Sequence, residues 1–272
     1  MSAPTIVGAV VVRNEDLWIE TAIRNVAEFC DVIHVADNCS TDRTWEILQG
    51  LEAELDHLDL RRIEEIGDSQ ELVASYVGTD CWVFGVDGDE LYDPAGLRTL
   101  REEIQAGAYL DRWRIKSNVL NAVAIDRDAG TATGYLAPPA RPITKLFNFA
   151  ALEAWTGPFV QVLHGAGAVY RAGYSHDLAE NIGDRLDWDS SYFRCAHCCF
   201  VPRSSLDSAA AAELGRPNPD DFHRAAHGGL RDRFARLRPS TRSQSRWKNH
   251  AYRRGELVTV DVRSLVGAPI ST

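Results

Sequence analysis

The chain of 272 residues contains no apolar run approaching the roughly 18 residues that a membrane span needs, so no integral membrane segment is expected. Its first residues, Met1-Ser2-Ala3-Pro4-Thr5, have neither the basic start nor the long apolar region of a signal peptide, and a cytoplasmic location is expected. Cysteine is sparse: Cys30, Cys39 and Cys81 are scattered singly, and only Cys195, Cys198 and Cys199 cluster. That pattern does not make a disulfide scaffold in a chain of this length. The single Cys195-x-x-Cys198 pair has no counterpart elsewhere, whereas a structural zinc takes four ligands. Net positive charge is also missing. A formal charge of −10 argues against a general nucleic-acid binder. No internal repeat is present. Gly165-Ala166-Gly167-Ala168-Val169-Tyr170 has a tyrosine where a dinucleotide loop has its third glycine; this small-residue loop suits close approach of backbone to a ligand instead.

Apolar residues make up 45% of the chain, enough for a sizeable core in one large domain or a domain with an appendage. Charge is uneven. Residues 1–215 carry 17 Lys+Arg against 34 Asp+Glu, while residues 216–254 carry 11 against 3. An acidic body therefore precedes a basic C-terminal segment.

The most informative stretch is Cys81-Trp82-Val83-Phe84-Gly85-Val86-Asp87-Gly88-Asp89-Glu90. It reads as a buried strand that ends in three carboxylates. Asp-Gly is a strong hairpin signal, so an acidic turn is one reading. The other is a metal–diphosphate site: clustered carboxylates repel unless a cation joins them, and Mg²⁺ typically takes one or two carboxylates plus substrate phosphates.

Before it, residues 5–12 and 31–36 read as buried strands, and residues 58–63 as a weaker one. Helices are expected at about 17–29, capped by Asn14 or Asp16, and at about 43–55 and 69–77. This β-α-β order predicts a parallel sheet with right-handed crossovers, and in such sheets ligands bind at the carboxyl ends of the strands. Arg13, Asn14 and Glu15 lie at the first such end, Asp37 at the second, and Asp87, Gly88 and Asp89 at the fourth. Asp42 reads as a helix cap. After Glu90 the sequence predicts a helix at about 94–106, antiparallel strands at 109–119 and 121–126, a Gly/Pro-rich loop from Asp126 to Ile143, a strand at 145–149, an apolar run at 193–201 and a helix from Ser204 to Leu214.

Val10-Val11-Val12-Arg13-Asn14-Glu15, Ala36-Asp37-Asn38-Cys39-Ser40-Thr41-Asp42-Arg43-Thr44 and Val86-Asp87-Gly88-Asp89-Glu90 together resemble glycosyltransferase family 2, with its GT-A fold. The resemblance covers the first 105 residues. It implies an α/β architecture: a Rossmann-like, mostly parallel sheet flanked by helices over 1–105, and a smaller antiparallel or irregular acceptor half over 106–215. Residues 216–272 would form a basic C-terminal extension. It implies a metal-dependent transferase that moves a sugar from a nucleoside diphosphate donor, UDP-sugar foremost, to an unknown acceptor (small molecule, glycan or lipid-linked), with Mn²⁺ or Mg²⁺ and with inversion. Asp37 is implied at the base or ribose, Asp87 at the ribose and metal, and Asp89 at the metal. Glu90 would support Asp89. His197 is the candidate third ligand, with His164 and His176 as weaker ones. Arg13 stands where the family often has tyrosine, and Gly67-Asp68-Ser69-Gln70-Glu71 lacks the family's frequent arginine. The base for the acceptor hydroxyl is expected at Asp177 or Glu180, one helical turn apart, with Asp184, Asp187 and Asp189 in competition. Arg246 and Lys248, in the basic segment, are the expected cations of a lid over the diphosphate. Two rivals are a nucleotidyltransferase, whose phosphate loop would want a glycine after the first strand where Arg13-Asn14-Glu15-Asp16 has none, and a non-catalytic binding module of the same fold.

Overall fold

Alternating runs of β-branched residues build the centre of the protein. The computed structural model describes residues 3–158, 160, 163, 167–208 and 250–267. Strands β1 (Thr5–Val12), β2 (Val32–Asp37), β3 (Leu58–Arg62) and β4 (Cys81–Val86) are all parallel, in the order β3-β2-β1-β4. β1 and β4 lie inside the sheet and are buried along nearly their whole length, as expected for parallel strands covered on both faces.

Helix α1 (Ile19–Ala27) buries Ile19, Ala22, Ile23 and Val26, the i, i+3, i+4, i+7 stripe of an amphipathic helix. Helix α2 (Thr44–Glu54) buries Leu48 and Leu51. Neither Asn14 nor Asp16 caps α1, whose N-cap position is Trp18 with no side-chain cap. Both side chains are used elsewhere, as described below. The segment expected to be helical at 69–77 is a 3₁₀ turn at Ile66–Gln70 followed by the short helix α3 (Glu71–Ala74).

Beyond β4 comes the short strand β5 (Glu90–Tyr92), then helix α4 (Pro94–Gln105). Asp93 caps α4 by accepting from Ala95 N at 3.1 Å, and proline stands at its first turn, a favourable start because that N–H has no partner in a helix. The two strands expected at 109–119 and 121–126 are one 13-residue strand, β6 (Arg114–Asp126). The Gly/Pro-rich loop holds a strand, β7 (Thr131–Ala137), antiparallel to β6. β8 (Ile143–Asn148) is antiparallel to both β4 and β6 and joins them. β9 (Leu152–Trp155) and β10 (Ala168–Tyr170) form a separate pair. β11 (Ala179–Asn181) runs parallel to the start of β6, and β12 (Arg194–His197) lies parallel to its middle and antiparallel to β5.

The end of the chain returns to this sheet. β13 (Leu257–Asp261) is antiparallel to β7, and helix α5 (Arg263–Val266) buries Leu265 and Val266. The expected extension over 216–272 is therefore not a separate appendage at its far end: residues 257–266 complete the edge of the main sheet and join a core with Trp18, Leu91, Leu120 and Ala196. Residues 209–214 of the expected late helix lie outside the described residues.

Candidate active site

The carboxyl ends of β1, β2 and β4 converge, and each delivers the side chains that the motifs place there. At the end of β2, Asp37 is fully buried. Its Oδ2 accepts from Ser40 N at 3.1 Å and lies 3.3 Å from Arg62 Nε. Its Oδ1 has no hydrogen-bond partner among the described residues. Arg62, at the end of β3, also donates to Ser40 O and lies over the ring of Trp45. It lines a cleft of about 500 Å³ with Arg61, Ile63, Glu64, Asp68 and Glu71. Arg62 thus puts a cation beside Asp37, although the Gly67–Glu71 loop has none.

At the end of β1, Arg13 is exposed. Asn14 adopts a positive φ of 54°, a conformation asparagine tolerates better than most residues. Its Oδ1 accepts from Thr41 N at 2.7 Å, while its own N–H donates to Ser40 Oγ at 2.9 Å. Asn14, expected at the nucleotide, therefore ties the first strand end to the second. Asp16 accepts from the backbone N–H and hydroxyl of Ser205. Asp42 accepts from Thr44 N at the start of α2 and from Ser204 Oγ. Burial opposes the charge of Asp42, but the hydrogen bonds from Ser204 and Thr44 hold its carboxyl below the usual range. Segment 203–205 is in this way fastened across the mouth of the sheet.

Glu15 is buried against the turn after β4. A Cβ at Gly88 would stand 2.2 Å from Glu15 Oε2, 3.0 Å from Ile19 and 3.2 Å from Val12. Any side chain at this position would have to push the ends of the Glu15 and Ile19 side chains aside.

Two buried cations that the sequence reading did not single out hold the carboxylates of this turn. Lys145 Nζ lies 2.7 Å from Asp87 Oδ2 and 3.2 Å from Glu90 Oε1. Burial works against its ammonium, but Asp87 and Glu90 together outweigh that and raise it above the ordinary lysine range. Burial pushes Glu90 up to about 8. Arg203 Nη1 lies 2.6 Å from Asp89 Oδ2 and 3.6 Å from Glu15 Oε1. Asp89 is 1% exposed; desolvation opposes its charge, yet Arg203 holds the carboxyl far below the usual range.

How Lys145 arrives is visible in the register. Ile115 pairs with Leu146 and Lys116 with Thr144, which leaves Lys145 as the extra residue of a β-bulge. Bulges re-aim side chains and break the strict alternation of a strand. The signals in the sequence were a lone lysine in an otherwise apolar strand and a lone arginine after the late histidine.

His197 comes from β12, opposite Glu90 of β5 and Asn121 of β6. Its Nδ1 lies 3.1 Å from Asn121 Oδ1. An amide oxygen only accepts, so Nδ1 carries the proton and Nε2 presents a lone pair. Nε2 stands 3.8 Å from Asp89 Oδ2. Burial pushes His197 down to about 4, which keeps the ring neutral, as a metal ligand requires. Two acceptors thus face each other at a spacing that suits a shared cation. Asp87, expected at the ribose and the metal, is paired with Lys145 at 2.7 Å, and no group of three His, Cys, Asp or Glu residues suited to a metal stands together among the described residues. Asp89 and His197 fit a hard divalent ion that draws its other ligands from phosphate and water, provided Arg203 yields its place on Asp89.

The carboxylates expected as bases lie elsewhere. Asp177 is exposed, in a turn rather than a helix, and acts on Arg114. Glu180 lies in β11 level with Ile115, six residues along β6 from Asn121, or roughly 20 Å in an extended strand. Its carboxylate is held by Arg185 at 2.8 Å and faces Arg112 at 3.5 Å. The two do not share a helix face. Asp184 accepts from Asn181, and Asp187 caps Ser190. His176 is exposed. His164, Arg246 and Lys248 lie outside the described residues. The cysteines of the Cys195–Cys199 group are free thiols.

This geometry can be set beside known proteins. Among curated proteins none matches the chain. The S. aureus TarS fragment 1–349, solved with UDP, superposes with a TM-score of 0.44 at 15% identity, covering 89% of this chain and 78% of that one. Glucosyl-3-phosphoglycerate synthase from Mycobacterium tuberculosis, solved with Mn²⁺, UDP and glucosyl-3-phosphoglycerate, gives 0.33 at 18% identity, over 43% of this chain and 44% of that one. The model of the family described as "Glycosyl transferase family 2" matches residues 9–208, a span that takes in all three strand-end motifs, the bulge lysine, His197 and Arg203. The chain belongs to glycosyl transferase family 2.

Proposed function

We propose that the protein transfers a sugar from a UDP-sugar to an acceptor, with inversion, using Mn²⁺ or Mg²⁺ held by Asp89 and His197. The observation that carries this reading is a pair of buried polar atoms, at the two ends of the site, without hydrogen-bond partners among the described residues. Asp37 Oδ1 is an unused acceptor at the end of β2, and Asn121 Nδ2 an unused donor beside His197. Buried polar groups are rarely left unpaired, so both are suited to a ligand spanning the strand ends. Uracil offers an imide N–H and ribose its hydroxyls to Asp37, and the sugar or diphosphate offers oxygens to Asn121. UDP is also the nucleotide in the staphylococcal and mycobacterial structures.

A divalent ion at Asp89 and His197 would supply charge compensation for the departing diphosphate. The chain's own residues do the rest. Arg62 and Ser40 N hold Asp37 in place, Asn14 fixes the β2–α2 loop, and Lys145 keeps Asp87 aimed at the site. Inversion needs a base for the acceptor hydroxyl. Neither of the two carboxylates expected for this takes that role: Glu180 is held by Arg185 and Arg112, and Asp177, three residues before it, lies farther still from Asn121 and His197. Incubation with UDP-glucose, Mn²⁺ and no acceptor tests the reaction class. Slow release of free UDP supports a transferase; pyrophosphate would indicate the nucleotidyltransferase and no product the binding module.

A further inference from the structure

The stretch that leads into β13 comes back to the site. Residues 250–252 are helical, and three contacts fix the path around them. Arg141 N donates to Ala251 O at 3.0 Å. The guanidinium of Arg253 lies over the ring of Phe200, 4.1 Å from its centroid, just after His197 in the chain. Gly255 has a φ of 91°, and a Cβ there would stand 2.7 Å from Pro139 Cγ. The backbone therefore passes close over the turn after β7 before β13 joins β7 in the sheet.

These anchors set Tyr252 against His197. The two rings meet edge to face, with centroids 5.7 Å apart and planes at 73°, an arrangement that aromatic rings favour. The imidazole is then constrained twice. The hydrogen bond from Nδ1 to Asn121 Oδ1 decides which nitrogen faces Asp89. An imidazole held through one nitrogen can still swing about that hydrogen bond, and a ring packed against it at a steep angle restricts the swing. Groups that orient a histidine beforehand strengthen its use as a metal ligand. Asn121 comes from β6 and His197 from β12, whereas Tyr252 belongs to the segment that closes the sheet edge.

We propose that Tyr252 is a positioning residue for His197: its ring holds the imidazole in the orientation that presents Nε2 to the site. This deepens the transferase reading and rests on it for the role of His197 as a metal ligand. The end of the chain then serves the donor site as well as the edge of the sheet.

The test uses the full chain, with UDP and Mn²⁺ as probes. Calorimetric titration of UDP in Mn²⁺ should give Tyr252→Phe the affinity of the parent, because the ring is kept. Tyr252→Leu should bind about two- to tenfold more weakly, the range of one aromatic pair. In a His197→Ala background Tyr252→Leu should cause no further loss, because the residue acts through the imidazole; the double-mutant cycle measures this. A second readout needs neither metal nor nucleotide. The Nδ1 proton of His197, identified in proton NMR by its absence from His197→Ala, should exchange with solvent faster in Tyr252→Leu than in the parent or in Tyr252→Phe. Thermal unfolding checks the fold of each variant. If Tyr252→Leu does not melt cooperatively, Tyr252→Met, a flexible filler of the same space without a ring, takes its place. Parent affinity and parent exchange in the ringless variant would overturn the proposal. So would an equal loss with and without His197, or a loss in Tyr252→Phe as large as in Tyr252→Leu. Failure of the parent to bind UDP with Mn²⁺ would instead overturn the donor reading, and the exchange of the Nδ1 proton would still decide whether Tyr252 positions His197.

Discussion

At Asp89 one oxygen serves two purposes. Its Oδ2 accepts from Arg203 and faces His197 Nε2, so the residue that the transferase reading assigns to the metal is also half of a buried ion pair. Removing one partner of such a pair leaves the other buried and uncompensated, at a cost of about 3 kcal/mol. Asp89→Asn should therefore lose metal-dependent UDP binding and also lower stability by about that amount, with Glu15, 3.6 Å from Arg203, reducing the loss. Asp89→Asn combined with Arg203→Met should regain much of the stability and none of the UDP binding. Urea unfolding and calorimetry on the three proteins separate the two roles. Equal stability of Asp89→Asn and the parent would show that the ion pair is not formed. Gly88 gives a second prediction at this scale. Gly88→Ala forces Glu15 aside and should destabilise by about 1–3 kcal/mol, the range of overpacking in a tight site, measured by thermal unfolding; no change would mean the turn relaxes freely. Aspartates at strand ends were legible in the sequence because a buried apolar run cannot end in charges without reason. Arg203 was not, because nothing local marks which carboxylate lies opposite a residue 114 positions away.

Elements place these groups, and the β-bulge of β8 is the clearest case. A regular strand would alternate Lys145 with its neighbours and give no cause to aim it at Asp87. Lys145→Met keeps the stem and removes the charge. It should leave Asp87 and Glu90 without their cation, lower stability by about 3 kcal/mol and weaken UDP binding, both read in the same titrations; unchanged values would assign the bulge a packing role only. The fastening of segment 203–205 onto the start of α2 has a pH signature. The folded-state pKa of Asp42 is lowered by Ser204 and Thr44, so its contribution is present above the unfolded value of about 3.9 and is lost as pH falls through the lower folded value. Stability measured from pH 5 to 2.5 should fall less steeply in Asp42→Asn than in the parent, and equal slopes would remove Asp42 from the account. Helix and strand positions in the first 105 residues followed directly from periodicity. The caps of α1 did not, because Asn14 and Asp16 find tertiary partners in Thr41 and Ser205 that outcompete the local helix end. β7 was hidden for a related reason: its Gly134 sits where a Cβ would strike Asn121 O at 2.4 Å, so a residue that reads as loop is required by strand packing.

On the scale of the whole molecule, the sheet closes with the end of the chain. Val262 and Leu265 are fully buried and Val266 nearly so, and β13 covers the outer edge of β7. Burying each of these side chains is worth about 2 kcal/mol, against a typical total stability of about 5–15 kcal/mol. A chain ending at Gly255 should fail to give a cooperative melt by circular dichroism, and a normal melt would show that the edge is dispensable. The sequence reading treated this end as an extension because charge changes sign near residue 216, and charge composition says nothing about which strand edge a distant segment covers. The sheet half over β1–β4 was legible because its motifs lie at the ends of neighbouring strands; the later half was not, because β6 is contacted by four strands, two adjacent in sequence and two more than 50 residues farther along. The account stands or falls on whether the carboxyl ends of β1, β2 and β4 hold a nucleoside diphosphate through Asp89 and His197. Calorimetric titration of UDP in Mn²⁺ and in EDTA, for the parent and for His197→Ala, is the direct measurement. The account predicts saturable one-to-one binding in Mn²⁺ that is lost or weakened at least tenfold in EDTA and in His197→Ala. Binding of equal strength in all conditions, or none in any, would contradict it.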